Sequence, residues 1–205
     1  MEKREFDNTA MYKLSYGLFV VTAKDGDKDN GCITNTVMQV TTTPNRITLA
    51  VNKGNYTHDM IVKTGVFNVS VLSETASFDI FKHWGFQSGR DVDKLVGIEF
   101  SRADNGIVYV TEGVNAVLSA RVEQVIDLGT HSLFIAEVTD AMSLNQNASA
   151  TYTYYQKNIK PAPAKPKKKG WVCIICGYIY EGEELPADFI CPICKHPASD
   201  FKPVE

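Results

Sequence analysis

Before residue 145 the chain reads as a series of short, dense apolar runs. GLFVVTAK (17–24), TNTVMQVTT (34–42), RITLAVN (46–52), VFNVSVL (66–72), IVYVTE (107–112), NAVLSARVEQVID (115–127) and SLFIAEVTDAMSL (132–144) are rich in β-branched residues, often alternate with polar ones, and are bounded by Gly, Asn, Asp or Pro. That is the pattern of strands. Two segments carry helix signals instead. THDMIVKTG (57–65) opens on a threonine cap and ends on Gly65, and SETASFDIFKHWG (73–85) opens on Ser73 and ends on Gly85. Many short strands with so few helices predict a mainly β protein, folded as a closed barrel rather than a doubly wound sheet.

The pattern stops at QKNIKPAPAKPKKKG (156–170), which has six lysines, three prolines and no acid. Alternating Pro and Ala favours extended chain and offers nothing to bury, so this segment reads as a linker. The expected organisation is a barrel over residues 1–155, the linker over 156–170 and a small domain over 171–205. A chain of 205 residues, 44% hydrophobic, supports one core and a small second unit. A net charge of −3 gives no pull toward nucleic acid or an anionic membrane. The start, MEKREFDN, has no apolar signal segment, and no run approaches the ~20 apolar residues of a spanning helix. The expectation is a soluble cytoplasmic protein.

The small domain holds four of the five cysteines, spaced Cys173-x2-Cys176-x14-Cys191-x2-Cys194. Without a secretory context such a cluster points to a metal rather than to disulfides. Each pair curls around one ion, and the two turns together offer four thiolates in a tetrahedron. That site suits Zn²⁺ or a single iron, and the spacing does not choose between them. Gly177, after the first pair, supplies the positive φ that a tight metal turn needs. Trp171, Tyr178, Tyr180, Phe189 and Phe201 give a tiny domain the large side chains of a core.

With its W-V-C-I-I-C-G-Y-I-Y, its C-P-I-C, its Phe201 and its short middle segment EGEELPADFI, the stretch 171–203 resembles the rubredoxins, in the compact form that ends rubrerythrins. The resemblance implies one iron, cycling between Fe³⁺ and Fe²⁺, held by Cys173, Cys176, Cys191 and Cys194. One residue departs from the pattern: Lys195 stands where many rubredoxins have glycine. In a left-handed turn a lysine there costs on the order of 1 kcal/mol.

The larger half has no G-x-G-x-x-G after a strand, no G-x-x-x-x-G-K-[ST] and no G-x-S-x-G, so neither a dinucleotide fold of the Rossmann type nor a P-loop accounts for it. Its polar residues gather at two places. One is Thr34, Asn35, Thr36, Gln39, Thr41, Thr42 and Thr43. The other is Asn52, Lys53, Asn55, Tyr56, Thr57 and His58, where a strand hands over to a helix and a phosphate would find amides and a cation. By composition alone these are ordinary strand and turn residues.

Their order along T-T-T-P-N, RITLAVNKGNYTHDMIVKTGVFNVSVL and GFQSGRDVDK resembles the flavin-reductase-like, FMN-binding split barrels over about residues 8–155. That resemblance implies an isoalloxazine against Asn35, Thr36, Gln39, Val40 and Thr41, close to Thr34. It implies a ribityl phosphate near Asn52, Lys53, Asn55, Thr57 and His58. Lys94 matches a lysine that approaches FMN, with Arg90 as a second cation. His131 starts a strand where a histidine lies near the flavin, and His131 and Thr36 are the candidates to tune the ring or orient a nicotinamide. Cys32 reads as a buried thiol.

The two halves together resemble the high-molecular-weight rubredoxins: an FMN-binding split β-barrel with a few short helices, followed by a rubredoxin-like iron domain. The resemblance implies electron transfer from NAD(P)H through FMN to the iron, and on to an acceptor protein such as a flavodiiron NO or O2 reductase. It also implies a homodimer. A pure electron carrier, reduced by another protein and lacking a nicotinamide site, is the alternative.

Overall fold

The computed structural model of the chain describes residues 7–161 and 170–204, so linker residues 162–169 lie outside the described residues. In chain order the larger body contains β1 (Phe19–Asp25), β2 (Lys28–Thr34), β3 (Met38–Thr42), β4 (Asn45–Asn52), α1 (Tyr56–Thr64), β5 (Val66–Leu72), α2 (Phe78–Gly85), β6 (Phe100–Arg102), β7 (Val108–Val110), β8 (Val114–Asp127) and β9 (His131–Ser143). A helical turn, α3 (Tyr152–Tyr154), then runs on as a π-helical turn at Tyr155–Ile159.

Seven strands form one antiparallel sheet in the order β2-β1-β5-β8-β9-β4-β3. β2 and β3 are consecutive in the chain, yet they occupy opposite edges of that sheet. From Thr34 to Met38 the backbone reaches at most about 14 Å. In a flat sheet of this size the edge strands would stand about 28 Å apart. The sheet must therefore curl until its edges nearly meet without pairing, which is a split barrel. Thr36 pins the connection: its Oγ1 donates to the Ala50 carbonyl at 2.6 Å and accepts from the Ala50 amide at 3.2 Å. Register shifts between Ser119 and Ala120 and between Val122 and Gln124 mark bulges that let the long β8–β9 ribbon bend around the barrel.

Both faces of β1 are buried, which is why its sequence runs apolar without alternating. Phe19, Val21 and Ala23 join Cys32, Leu49, Val51, Met60, Phe67, Val69 and Phe134 in a core drawn from β1, β2, β4, β5, β8, β9 and α1. Leu18 and Val20 turn to the other side, under Ile80, Phe81 and Trp84 of α2 and Tyr155 of the π-helical turn. Apolar burial of this kind stabilises by roughly 25 cal/mol per Å² removed from water.

The mainly β barrel is as expected, and several boundaries differ. The strand expected over 34–42 is interrupted at Asn35–Val37. β2 and β6, for which the apolar pattern predicts no strand, are strands. α1 is capped by Asn55, whose side chain accepts from the Thr57 amide, rather than by a threonine. The second helix starts at Phe78, because Ser73 is tied to the turn at Gly113 through both its amide and its hydroxyl. Residues 156–159 belong to a helical turn, with Tyr155 buried against Phe81 at 4.4 Å between ring centroids, so extended chain begins no earlier than Lys160.

The small domain pairs β10 (Gly170–Cys173) with β11 (Ile179–Tyr180) on one side and β12 (Phe201–Val204) on the other. Phe189 packs between Tyr180, at 4.7 Å, and Phe201, at 5.4 Å. No described helix is long and apolar enough to cross a membrane.

Gly31, in mid-β2, gives the fold a direct test. A Cβ at this position would lie 2.6 Å from the Trp84 ring and 2.9 Å from Thr22 Cγ2. Gly31→Ala should destabilise the barrel by about 1–3 kcal/mol, read as a lower urea midpoint. An unchanged midpoint would show that α2 does not pack on β2.

Candidate functional site

The four cysteine sulfurs lie within 4.8 Å of one another. Sγ of Cys173 is 3.6 Å from that of Cys194, and Sγ of Cys176 is 3.5 Å from that of Cys191. These separations are too long for S–S bonds, at about 2.05 Å. They fit a tetrahedron of metal–sulfur bonds of about 2.3 Å. The two turns repeat one geometry: the Gly177 amide donates to the Cys173 carbonyl, and the Lys195 amide to the Cys191 carbonyl. Both following residues are left-handed, Gly177 at φ 80° and Lys195 at φ 62°. The lysine thus occupies a glycine position, as its sequence place implied.

The donor set fits a metal on chemical grounds. Burial pushes the Cys173 thiol up to about 11, and the neighbouring Cys194 sulfur followed by burial raises Cys176 further. Four sulfurs this close together hold four thiolate charges only around a cation. Amides of Ile175 and Cys176 point at the Cys173 sulfur, and that of Tyr178 at Cys176. Hydrogen bonds of this kind tune the potential of an iron–thiolate centre.

A second site lies in a cleft of about 570 Å³, within the size range of small-molecule pockets. The end of β2 supplies Cys32 and Ile33, the β4–α1 junction supplies Asn52, Asn55 and Tyr56, and the loop after α2 supplies Ser88, Gly89, Arg90 and Lys94. Lys94 is almost fully buried, and its ammonium donates to the carbonyls of Gly31 at 2.8 Å and Trp84 at 2.9 Å. Burial pushes it down to about 8. Arg90 donates to Asp59 at 2.6 Å and lies over the Tyr56 ring at 4.8 Å, which fastens the loop to α1. A helix start with two nearby cations suits a phosphate, so the cleft fits an anionic cofactor.

Of the residues expected around the flavin, Asn52, Asn55 and Lys94 line this cleft, as does Arg90. Thr57 and His58 are buried below it. His58 spends both ring nitrogens on neighbours, Nδ1 at 3.1 Å from Asp59 and Nε2 at 2.9 Å from Ser132. Lys53 is paired with Asp127, and the His131 ring with the Thr130 hydroxyl. Thr34 and Thr36 hydrogen-bond each other, and Asn35 is half-buried in the connection between the sheet edges. Gln39, Val40 and Thr41 lie on the exposed edge strand β3, outside the cleft lining. Cys32 is a buried thiol with its pKa raised by burial, as its composition implied. Gly89 was not singled out in the linear chain, and Tyr56 stood there only among the polar residues of the β4–α1 turn. The sequence reading missed His83, whose Nε2 meets the Lys94 carbonyl at 2.6 Å and so helps to place that lysine. The linear signal for this loop was GFQSGRDVDK, which holds Arg90 and Lys94.

The cleft does not end with the barrel. Pro192, Ile193, Cys194 and Lys195 of the second cysteine turn also line it. From the other side Lys160 donates to the carbonyls of Ile174, at 2.9 Å, and Ile175, at 2.6 Å, in the first turn.

Comparison with known proteins matches residues 11–163 to the flavin reductase like domain and residues 171–202 to the rubrerythrin, rubredoxin-like domain. The chain is 36% identical over 221 residues to the high molecular weight rubredoxin of Moorella thermoacetica, covering 92% of this chain and 95% of that protein. It is 37% identical over 149 residues to the ferric-chelate reductase (NAD(P)H) of Archaeoglobus fulgidus, covering 73% of this chain and 88% of that protein. Among solved structures, the NADH:FAD oxidoreductase SgcE6 of Streptomyces globisporus C-1027 shares the barrel fold, with a TM-score of 0.65 and 19% identity over 74% of this chain and 93% of that one. The chain belongs to the flavin reductase-like family and carries a C-terminal rubredoxin-like domain, the composition of a high molecular weight rubredoxin.

Proposed function

We propose that the protein is an NAD(P)H-dependent flavin oxidoreductase that feeds electrons from FMN to its own rubredoxin iron and on to an acceptor protein of the flavodiiron class. A bound flavin accepts electrons in pairs and releases them singly, while a thiolate-held iron takes one at a time. The observation that carries the reading is the shared cleft: Cys194, a metal ligand by position, borders the same space as Asn55, Arg90 and Lys94.

In this reading the flavin phosphate sits at the start of α1, where Asn52 and Asn55 orient it and Arg90 and Lys94 balance its charge. Lys94 acts from a fixed position, since its carbonyl partners and His83 hold it in place. Thr34, Asn35 and Thr36 shape the wall beside the ring, and His131 and Thr36 orient the nicotinamide. Gln39, Val40 and Thr41 complete the ring site when a second copy covers β3. The homodimer has support in the sheet itself. Met38, Thr48, Ile135 and Gln124 share one face across four strands, with Ala50, Leu133 and Ile126 alongside. This face is largely apolar, and Met38 is 63% exposed. Thr57, His58 and Lys53 support the β4–α1 turn from behind.

The reading is tested by anaerobic mixing with NADH or NADPH while the flavin and ferric–thiolate absorption bands are followed. Both bands should bleach, and in Cys176→Ser only the flavin should do so. Failure of both nicotinamides to reduce the flavin would leave the pure carrier.

Lys94 sets a pH dependence. Its folded value, about 8, lies below that of a free lysine. Above pH 8 and below the free value the unfolded chain holds a proton that the folded chain has lost, so stability of the flavin-free barrel rises with pH there. The gain should be about 1–3 kcal/mol in all, read from urea unfolding at about pH 7.5 and about pH 9.5. Lys94→Met should flatten the rise and weaken FMN binding at least about tenfold, the loss of one charge-assisted contact.

Lys195→Gly relieves the left-handed lysine and removes a cation from beside the thiolates. The metal-loaded domain should gain about 1 kcal/mol, and its midpoint potential should fall in protein-film voltammetry, because the reduced centre is the more anionic one. An unshifted potential would discount the charge effect.

A further inference from the structure

Both partly exposed thiolates of the metal domain face the barrel. Cys173 and Cys191 are buried, while Cys176 and Cys194 are the sulfurs nearer the surface. Cys194 lines the cleft together with Ile193 and Lys195. Cys176 lies within electrostatic reach of Tyr155 and Lys160, at the end of the barrel's last helical turn. Two hydrogen bonds cross from barrel to metal domain at Lys160, whose ammonium donates to the carbonyls of Ile174 and Ile175 between Cys173 and Cys176. The first cysteine turn is therefore held by Lys160, and the second roofs the cleft.

Such an arrangement has a consequence for any protein that takes electrons from this domain. An electron leaves a tetrathiolate centre most readily through the sulfurs nearest the surface, and here those sulfurs lie on the side turned toward the chain's own barrel. We propose that the metal domain has a single docking face, around Cys176, Ile193, Cys194 and Lys195, which the flavin cleft and an outside acceptor protein occupy in turn, with Lys160 as the clamp of the internal seat. Docked, the domain faces the cofactor cleft. Released, it presents the same face outward. Lys160 suits a reversible clamp. It is half-buried, bonds only to backbone carbonyls in these two contacts, and meets a turn whose amides are committed to sulfur. Charge-assisted bonds to neutral carbonyls hold the turn without the tight pairing of a buried ion pair. The proposal rests on the electron-transfer reading for its purpose, but the seat itself is a matter of contacts and is measured without turnover.

The test uses the full chain in four forms: wild type, Lys160→Gln, Lys160→Arg and Ile193→Asp. The zinc-loaded proteins are compared by small-angle X-ray scattering, and folding is checked by circular dichroism. Wild type and Lys160→Arg should share a compact radius of gyration, while Lys160→Gln and Ile193→Asp should be larger and retain their secondary structure. The iron-loaded proteins, reduced with dithionite, are then mixed with cytochrome c as a basic one-electron acceptor. Its second-order reduction should run several-fold faster with Lys160→Gln than with wild type, while internal transfer from flavin to iron slows at least about tenfold. A merely structural lysine would slow both. Equal radii in all four forms, or rates that move in the same direction, would overturn the shared face. Failure of nicotinamide to reduce the flavin would count against the functional reading alone, because the zinc-loaded scattering does not involve it.

Discussion

A three-residue connection sets the shape of the larger body. Asn35–Val37 joins strands at opposite edges of a seven-stranded sheet, and a link so short cannot cross an open sheet of that width. Curling is the only solution, and the bulges in β8–β9 permit it. Curling encloses Phe67, Leu49 and Phe134 in one core. It also brings the end of β2 beside the end of β4, which makes Cys32, Ile33, Asn52 and Asn55 neighbours in one cleft. The hydroxyl of Thr36 acts as the rivet, serving both the carbonyl and the amide of Ala50. Removing it would leave two backbone groups of β4 to find other partners.

The chemistry of the cleft follows from where its cations sit. Arg90 is held by an acid and an aromatic ring at the surface. Lys94 is held by carbonyls in the interior, and its lowered pKa reports the cost of keeping a charge there. A buried cation whose mapped partners are neutral carbonyls favours an anion arriving beside it, since Coulomb attraction is strong where water is excluded. The second metal turn meets this cleft with its less buried sulfur, Cys194, and Lys160 holds the first turn through the Ile174 and Ile175 carbonyls. One-electron transfer falls off steeply with separation, so bringing the two centres to a common boundary is the structural requirement of a flavin-to-iron relay.

Much of this was legible in the linear chain. The two C-x-x-C pairs and Gly177 specify the metal turns, because ligand spacing and a left-handed residue are local properties. Lys195 as a lysine in a glycine position was legible for the same reason. The apolar runs marked most strands. β2 was hidden by its polar residues and by Gly31, which exists to admit Trp84 from a helix some 50 residues on. α2 seemed to begin at Ser73 because serine is a common cap, but that serine is engaged by Gly113 from across the body. Local signals fail where a distant partner takes the group that would have served locally.

The sequence by itself determined the four-thiolate centre, the mainly β character of the larger half and the identity of the polar residues at the β4–α1 turn. Each of these depends on residues close together in the chain. Only the tertiary structure decided which of the candidate residues share a cleft. It set Asn52, Asn55, Arg90 and Lys94 together, sent Thr57 and His58 below, and left Gln39, Val40 and Thr41 on an edge. It also decided that a cysteine turn closes that cleft and that Lys160 holds the other. The reason is the closure of the sheet: the β4–α1 turn and the Arg90–Lys94 loop are distant in the chain and line one cleft only once the barrel has curled, and no local pattern encodes that meeting.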